Sequence, residues 1–300
     1  MIACLTWALD TLIRYPLLAK GYSTLNIVLF EHLILVAITM PILWRHRSAL
    51  RSLSALSMGS LFFIGGIGSA VGTLAFTQAF HYLNPTVVIL LQKLQPIVAI
   101  LGAYWLLKES IQRYFLHWAV VIIGGSVLMM WSDIQSLNLN VHANSRSHDL
   151  LLGYGFTLLS IFSWGMATVC GRYLSQQKVP SNAIMAGRFL FGLMVLLGFS
   201  VSQPQLITLV PTIDLGAIVI MAILSGLVGM WFYYLGLKSV PAHLATLVEM
   251  TFPIFAALIN WVFLGMSLNH YQMIGGAILI IGNLGIRLYS SSQDQQTALA

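Results

Sequence analysis

The chain is short of charge. Asp, Glu, Lys and Arg make up 7% of its 300 residues, against 58% hydrophobic, where soluble domains carry roughly a quarter charged residues. That ratio excludes a water-soluble globule, and a mean hydropathy of +0.88 agrees. Cysteine is scarce too. Cys4 and Cys170 both sit in apolar runs, which gives no disulfide framework and no metal spacing. The stretch G-x-x-x-x-G-K-[ST] is missing, so nothing points to ATP hydrolysis by this chain. H-E-x-x-H, G-x-S-x-G and a TVGYG-like filter are missing as well, which removes the usual handles of a metalloprotease, an esterase and a potassium channel. His32, His81, His117 and His243 are too scattered for a metal constellation. No metal and no cofactor is expected. The N-terminus lacks the basic start and small-residue cleavage site of a signal peptide. Its first span carries Asp10, Arg14 and Pro16 and is the weakest of the apolar runs, so a start upstream of Met1 stays open.

What the chain has is long apolar runs. Crossing hydrocarbon takes about 20 residues of helix. Ten runs qualify: roughly 1–20, 24–44, 55–81, 85–107, 112–131, 150–174, 181–201, 212–238, 241–264 and 270–289. The alternation of a β-barrel is absent, so these are helices. The few charges are sorted. Arg45, Arg47, Arg51, Lys108, Arg113, Arg172, Lys178, Lys238 and Arg287 all fall on one membrane side if the spans alternate, while Lys20 and Arg146 fall on the other. Basic loops stay in the cytoplasm, which predicts both termini there, in a bacterial-type plasma (inner) membrane. The net charge of +6 is therefore a topology signal and not a nucleic-acid surface.

An internal repeat emerges at an offset of 157 residues. Trp7 falls on Trp164, Gly59 on Gly216, Gly72 on Gly229, Pro96 on Pro253, Tyr114 on Tyr271 and Gly125 on Gly282. Each half then holds five spans. Five is odd, so the second copy enters from the opposite face. The expected architecture is an all-α polytopic membrane protein of ten transmembrane helices in two inverted five-helix repeats. Secondary transporters are commonly built so, with the site near the midplane where the halves meet. The expected units are 1–131 and 150–289, joined by a polar extracytoplasmic linker, 132–149, and followed by a cytoplasmic tail, 290–300.

With Trp7 and Trp164 in first helices, Arg188 in a second helix ("AGRFLFGL"), Pro96 and Pro253 in fourth helices and Glu109 closing the first half ("LLKES"), the chain resembles the EamA-type family of the drug/metabolite transporter superfamily. The likeness covers nearly all the chain. It departs at Glu31, where the first half would carry Arg, at Lys108 in place of Gly, and at Met266 in place of the second closing Glu. The resemblance implies export or import of a small metabolite without ATP, often an amino acid or a derivative, with export preferred. It leaves monomer and homodimer open. A membrane-embedded enzyme and a channel are the alternatives from other classes.

Ionisable groups inside a membrane are costly and normally face the bundle interior. Lys93 lies in "VILLQKLQPIVAI". At 100° per residue, Gln92, Lys93, Gln95 and Pro96 share an arc of roughly 160°, and Pro96 lacks the N–H that would bond the Gln92 carbonyl. This face offers a cation, two amides and a free carbonyl to a zwitterion or an organic anion. The alternative is a Lys93 held in a fixed pair by Glu31 or Glu249. Glu249, at the offset from Gln92, suits a substrate ammonium or a proton, and Thr246 and Thr251 lie near it. Glu31 and Arg188 stand at the offset with opposite signs, either as a charge-selective gate or as charges satisfied within their own halves. Asp10 and Arg14 have i,i+4 spacing with the acid first, which favours an internal salt bridge. His32 reads as a hydrogen-bonding residue. Trp7, Trp164, Trp231, Tyr233, Tyr234 and Trp261 are candidates to wall a cavity, against interfacial belts or plain packing. Gly65, Gly68, Gly72, Gly226 and Gly229 read as small-residue packing faces. The expected partners are a small-molecule substrate, the lipid bilayer and a coupled proton or ion.

Overall fold

The computed structural model describes residues 2–111, 114–138, 145–229, 232 and 251–299, and the regular elements among them are all helical. The first half comprises α1 (Ile2–Ala19), α2 (Thr24–Arg45), α3 (Ala55–Ala79), α4 (Pro85–Leu107) and α5 (Phe115–Met129). The second comprises α6 (Ser145–Gln176), α7 (Ser181–Ser202), α8 (Thr212–Val228), α9 (Thr251–Leu264) and α10 (His270–Leu299). Helices α1, α2, α3, α4, α6 and α7 are long and apolar enough to cross a bilayer; α5, α8, α9 and the His270–Ile286 part of α10 are shorter apolar helices where the other spans are expected. The chain is an all-α polytopic membrane protein. Its outside is apolar, with Trp105, Leu116, Val201 and Phe263 exposed, as hydrocarbon solvent permits.

Local chemistry sets the ends. Ser23 and Ser54 accept the backbone N–H of Asn26 and Ser57 and so cap α2 and α3. Asn84 accepts from the Thr86 N–H, with Pro85 at the first helical position of α4. The described parts of the expected linker are helical. Trp131–Asn138 is helical and α6 begins at Ser145, and Tyr154 Oη of α6 donates to Asp133 Oδ2 at 2.5 Å. The segment 290–299, expected as a tail, continues the helical backbone of α10.

Among the described residues, the most extensive helix contacts cross between the halves, and they come in matched sets. Helix α1 packs on α8 and α9, while α6 packs on α3 and α4; α2 packs on α8, α7 on α3; α2 meets α7, and α5 meets α10. The detail follows the offset of 157. Trp7 Nε1 lies where a Cβ on Gly229 would be 2.6 Å away, and Trp164 Nε1 where one on Gly72 would be 2.7 Å away. Gly125 faces Ile278, and Gly282 faces Ile122 with Val121 beside it. Wide π-type turns interrupt α3 at Ile64–Val71 and α8 at Ala222–Val228. The described residues with positive φ form two offset pairs: Gly21 (91°) with Lys178 (60°), and Lys108 (59°) with Gly265 (65°). Lys108 thus stands in a left-handed helix cap where glycine is the unstrained choice.

Candidate functional site

A cavity of about 640 Å3 lies between the halves and reaches the surface beside Ser175 and Ser181, both exposed. Helix α1 contributes Trp7, Asp10 and Arg14 to it, α2 contributes Glu31, and α4 contributes Gln92, Lys93, Gln95 and Pro96. Trp164 comes from α6 and Arg188 from α7. Pro253 is buried in α9 next to the lining residue Phe252. Glu249 lies outside the described residues, as do Thr246, Trp231, Tyr233 and Tyr234. Trp261 is 60% exposed. It faces outward, where hydrocarbon solvates its ring, and so is no cavity wall.

The charges form a network wider than the expected Asp10–Arg14 pair. That pair is present: Arg14 Nε donates to Asp10 Oδ2 at 2.6 Å and Nη2 to Asp10 Oδ1 at 3.0 Å. The same guanidinium donates to Glu31 Oε1 and Oε2 at 3.1–3.2 Å, and Nη1 to Thr77 Oγ1 at 3.1 Å. Ser225 Oγ reaches Asp10 Oδ1 at 2.9 Å and its own helix carbonyl at Met221 at 2.8 Å. Arg14 is 3% exposed. Three helices therefore converge on one planar cation, whose fork geometry suits two carboxylates at once. Glu31 meets Arg14 within its own half. With Glu31 engaged by Arg14, Lys93 is placed differently from a Glu31 partner: its Nζ lies 5.5 Å from the ring centroid of Phe252, in cation–π range.

Helix α4 breaks where the sequence indicates, but the freed carbonyl is not the one expected. Gln92–Leu94 tightens into a 3-10 turn, so the Gln95 N–H bonds the Gln92 carbonyl. Shortening the loop by one residue supplies the bond that Pro96 withholds. The Lys93 carbonyl accepts from Asn283 Nδ2 at 2.9 Å, and the same amide donates to Leu279 at 2.8 Å. The Gln92 side chain is oriented by its neighbour. Ser160 Oγ gives its proton to the Thr157 carbonyl at 2.8 Å, so it accepts from Gln92 Nε2 at 2.8 Å. Gln92 Oε1 is thereby turned away, buried, with no partner among the described residues.

His32 is the expected hydrogen-bonding residue. Its Nδ1 lies 2.9 Å from the Val28 carbonyl, which only accepts, so Nδ1 carries the proton and Nε2 faces Ser69 Oγ at 2.9 Å. It stacks edge-on with Phe189, its own counterpart at the offset, at 6.2 Å. Aromatic walls close the cavity: Trp7 meets Phe252 edge-on at 6.3 Å, and Phe76 meets Trp164 at 5.1 Å. Trp7 Nε1 donates to the Ser225 carbonyl at 3.1 Å, whereas Trp164 Nε1 is buried with no acceptor among the described residues. Thr77, Ser225, Asn283 and Phe252 are absent from the sequence-based candidates. Hydroxyls and phenylalanines are ordinary in apolar spans, so nothing in composition separates these from their neighbours.

The model of the EamA-like transporter family matches residues 1–131 and 151–288. A riboflavin transporter, ImpX, of Fusobacterium nucleatum is 28% identical over 292 residues, 95% of each chain. Protein LicB of Haemophilus influenzae is 27% identical over 185 residues, 58% of this chain and 56% of its own. One solved crystal structure superposes with a TM-score of 0.60 over 95% of this chain and 93% of its own, at 16% identity, a likeness of fold alone.

Proposed function

From a chain that belongs to the EamA-like transporter family, we infer a gradient-driven carrier that moves a small metabolite across a bacterial-type inner membrane by alternating access, with both termini cytoplasmic. The observation that carries this is the cavity itself. It lies between the two halves, opens at one end, and holds Lys93 on the broken helix α4. The matched contacts at the offset of 157 support an inverted repeat, the frame on which such carriers rock.

Riboflavin is the first substrate to test. A relative sharing 95% of the length is a riboflavin transporter. The volume of about 640 Å3 lies in the range of drug-sized ligands, about 300–1,000 Å3, and leaves a simple amino acid loosely held. Trp7, Phe76, Trp164 and Phe252 provide faces for a flat ring, and Gln92 and Gln95 provide amides for its edge. Amino-acid export is the second reading. It is favoured by a cavity that holds both cations and carboxylates, which suits a zwitterion. Lys93, Gln92, Gln95, Trp7, Trp164 and Glu249 bind substrate in this scheme. Asp10, Arg14, Glu31 and Arg188 couple or gate, with Glu31 or Glu249 taking up the proton where a proton is coupled, and Pro96 and Pro253 break the helices at the site.

Counterflow in liposomes tests this, with riboflavin, amino acids, organic anions, amines and sugars, with and without a pH gradient. Saturable riboflavin exchange abolished by Lys93→Ala supports a carrier with a mid-depth cation site. Flux that does not saturate supports a channel, and silence from folded protein removes the riboflavin assignment.

A further inference from the structure

The two ends of the bundle differ in chemistry where the halves meet. At the mouth formed by the α1–α2 and α7–α8 connections, one carboxylate collects two partners from the other half. Asp214 accepts from Lys20 Nζ at 2.5 Å and from Tyr22 Oη at 2.8 Å. Next to it, Ser23 Oγ donates to the Leu206 carbonyl at 2.6 Å, and Asn26 Nδ2 donates to Thr208 Oγ1 at 2.9 Å. Asn26 is fully buried under this layer. The opposite mouth, at Ser175 and Ser181, is the one through which the cavity reaches the surface.

An inverted repeat that exchanges its two conformations would rebuild this seal at the opposite mouth from the residues at the offset of 157. The sequence does not allow it. Tyr22 corresponds to Val179, Asn26 to Ala183 and Asp214 to Ser57. Ser57 is engaged by the cap of its own helix: its Oγ accepts from Ser54 Oγ at 3.0 Å and its N–H donates to Ser54 Oγ at 3.2 Å. Val179 packs instead in an apolar cluster with Leu50, Leu53 and Leu174. A second asymmetry points the same way. Trp7 Nε1 has its bond to Ser225, while the equivalent bond from Trp164 to Gly68 is not made.

We propose that the layer of Lys20, Tyr22 and Ser23 against Leu206 and Asp214, with Asn26 buried beneath it, is a one-sided polar latch. It biases the resting carrier toward the state open at the α6–α7 mouth and must break for the other mouth to open. This rests on alternating access between inverted halves but on no particular substrate. It implies that the carrier waits for its substrate on the α6–α7 side, and that salt, which screens the exposed Lys20 end of the latch, raises the population open on the other side.

The test needs no substrate, so its failure is distinct from a failed riboflavin assay. In protein with Cys4 and Cys170 replaced by alanine, Asn26→Cys reports opening by its labelling rate with a membrane-impermeant maleimide. Ser126→Cys, buried on α5 away from the latch, reports unfolding. Adding Asp214→Asn is expected to raise labelling at position 26 about threefold to tenfold, and Lys20→Gln less, because Lys20 is 56% exposed. Labelling at position 126 stays unchanged. Equal rates at position 26 with and without Asp214→Asn overturn the latch. If position 126 also labels faster, the variant has unfolded. Lys20→Gln, which removes only an exposed partner, then decides: a rise supports the latch and no rise overturns it.

Discussion

Replacing Arg14 by methionine keeps most of the side-chain volume and removes the only charge facing both Asp10 and Glu31 at hydrogen-bond distance among the described residues. The side chains of Arg14, Asp10 and Glu31 are 4%, 12% and 9% exposed, so they are largely withdrawn from water. Breaking a buried pair by deleting one partner costs about 3–5 kcal/mol, and here two carboxylates lose the same partner. At about 2–4 °C per kcal/mol for chains of this order of size, the unfolding midpoint should fall by roughly 6–20 °C. The assay is thermal unfolding in detergent, followed by the fluorescence of the eight tryptophans. The cause is charge and not packing, so Arg14→Met with Asp10→Asn and Glu31→Gln should recover most of the loss, since neutral replacement of a whole buried network is often near neutral. A single variant within about 2 °C of the parent refutes the reasoning. So does a triple variant as unstable as the single one, because the loss would then come from shape.

Four further outcomes can be checked. Lys93→Ala should fold and insert but lose saturable counterflow; normal transport removes Lys93 from the binding site. Gly275→Ala should lower stability by about 1–3 kcal/mol, since its Cβ would meet the Gly125 carbonyl at 2.5 Å, whereas Gly59→Ala, with open space, should be neutral or slightly stabilising in the same unfolding assay. Lys108→Gly should stabilise by about 1 kcal/mol, because the lysine holds a left-handed φ of 59°; an unchanged midpoint means the lysine side chain offsets that strain. Asn283→Leu should weaken substrate affinity more than it lowers the unfolding midpoint, since it releases the Lys93 carbonyl at the break in α4; equal affinity shows that the break holds without it.

Much of the site was legible because hydrocarbon makes polar residues conspicuous. In a chain with 7% charge, Asp10, Arg14, Glu31, Lys93 and Arg188 stand out, and the cost of leaving such groups in lipid sends them to a common interior. The same cost made the spans legible as helices, since only hydrogen-bonded backbone survives there. Trp7, Trp164, Pro96 and the paired glycines were visible through the offset alone, before any contact was known.

Which charge meets which was a different matter. The i,i+4 spacing of Asp10 and Arg14 is a local fact that the sequence carries, but the approach of Glu31 and Thr77 to the same guanidinium depends on how α1, α2 and α3 are rotated against one another. The carbonyl of Gln92 found a partner because a 3-10 turn needs one residue fewer than an α-turn. Asn283, Ser225 and Phe252 entered the site from helices whose sequences mark them as ordinary. Composition and periodicity determined the solvent, the helices and the set of buried polar groups, because those follow from the transfer energy of each residue. Partners, the open mouth and the one-sided latch were decided by tertiary structure, because hydrogen bonds are directional and act over about 3 Å, a range that only the packed helices fix.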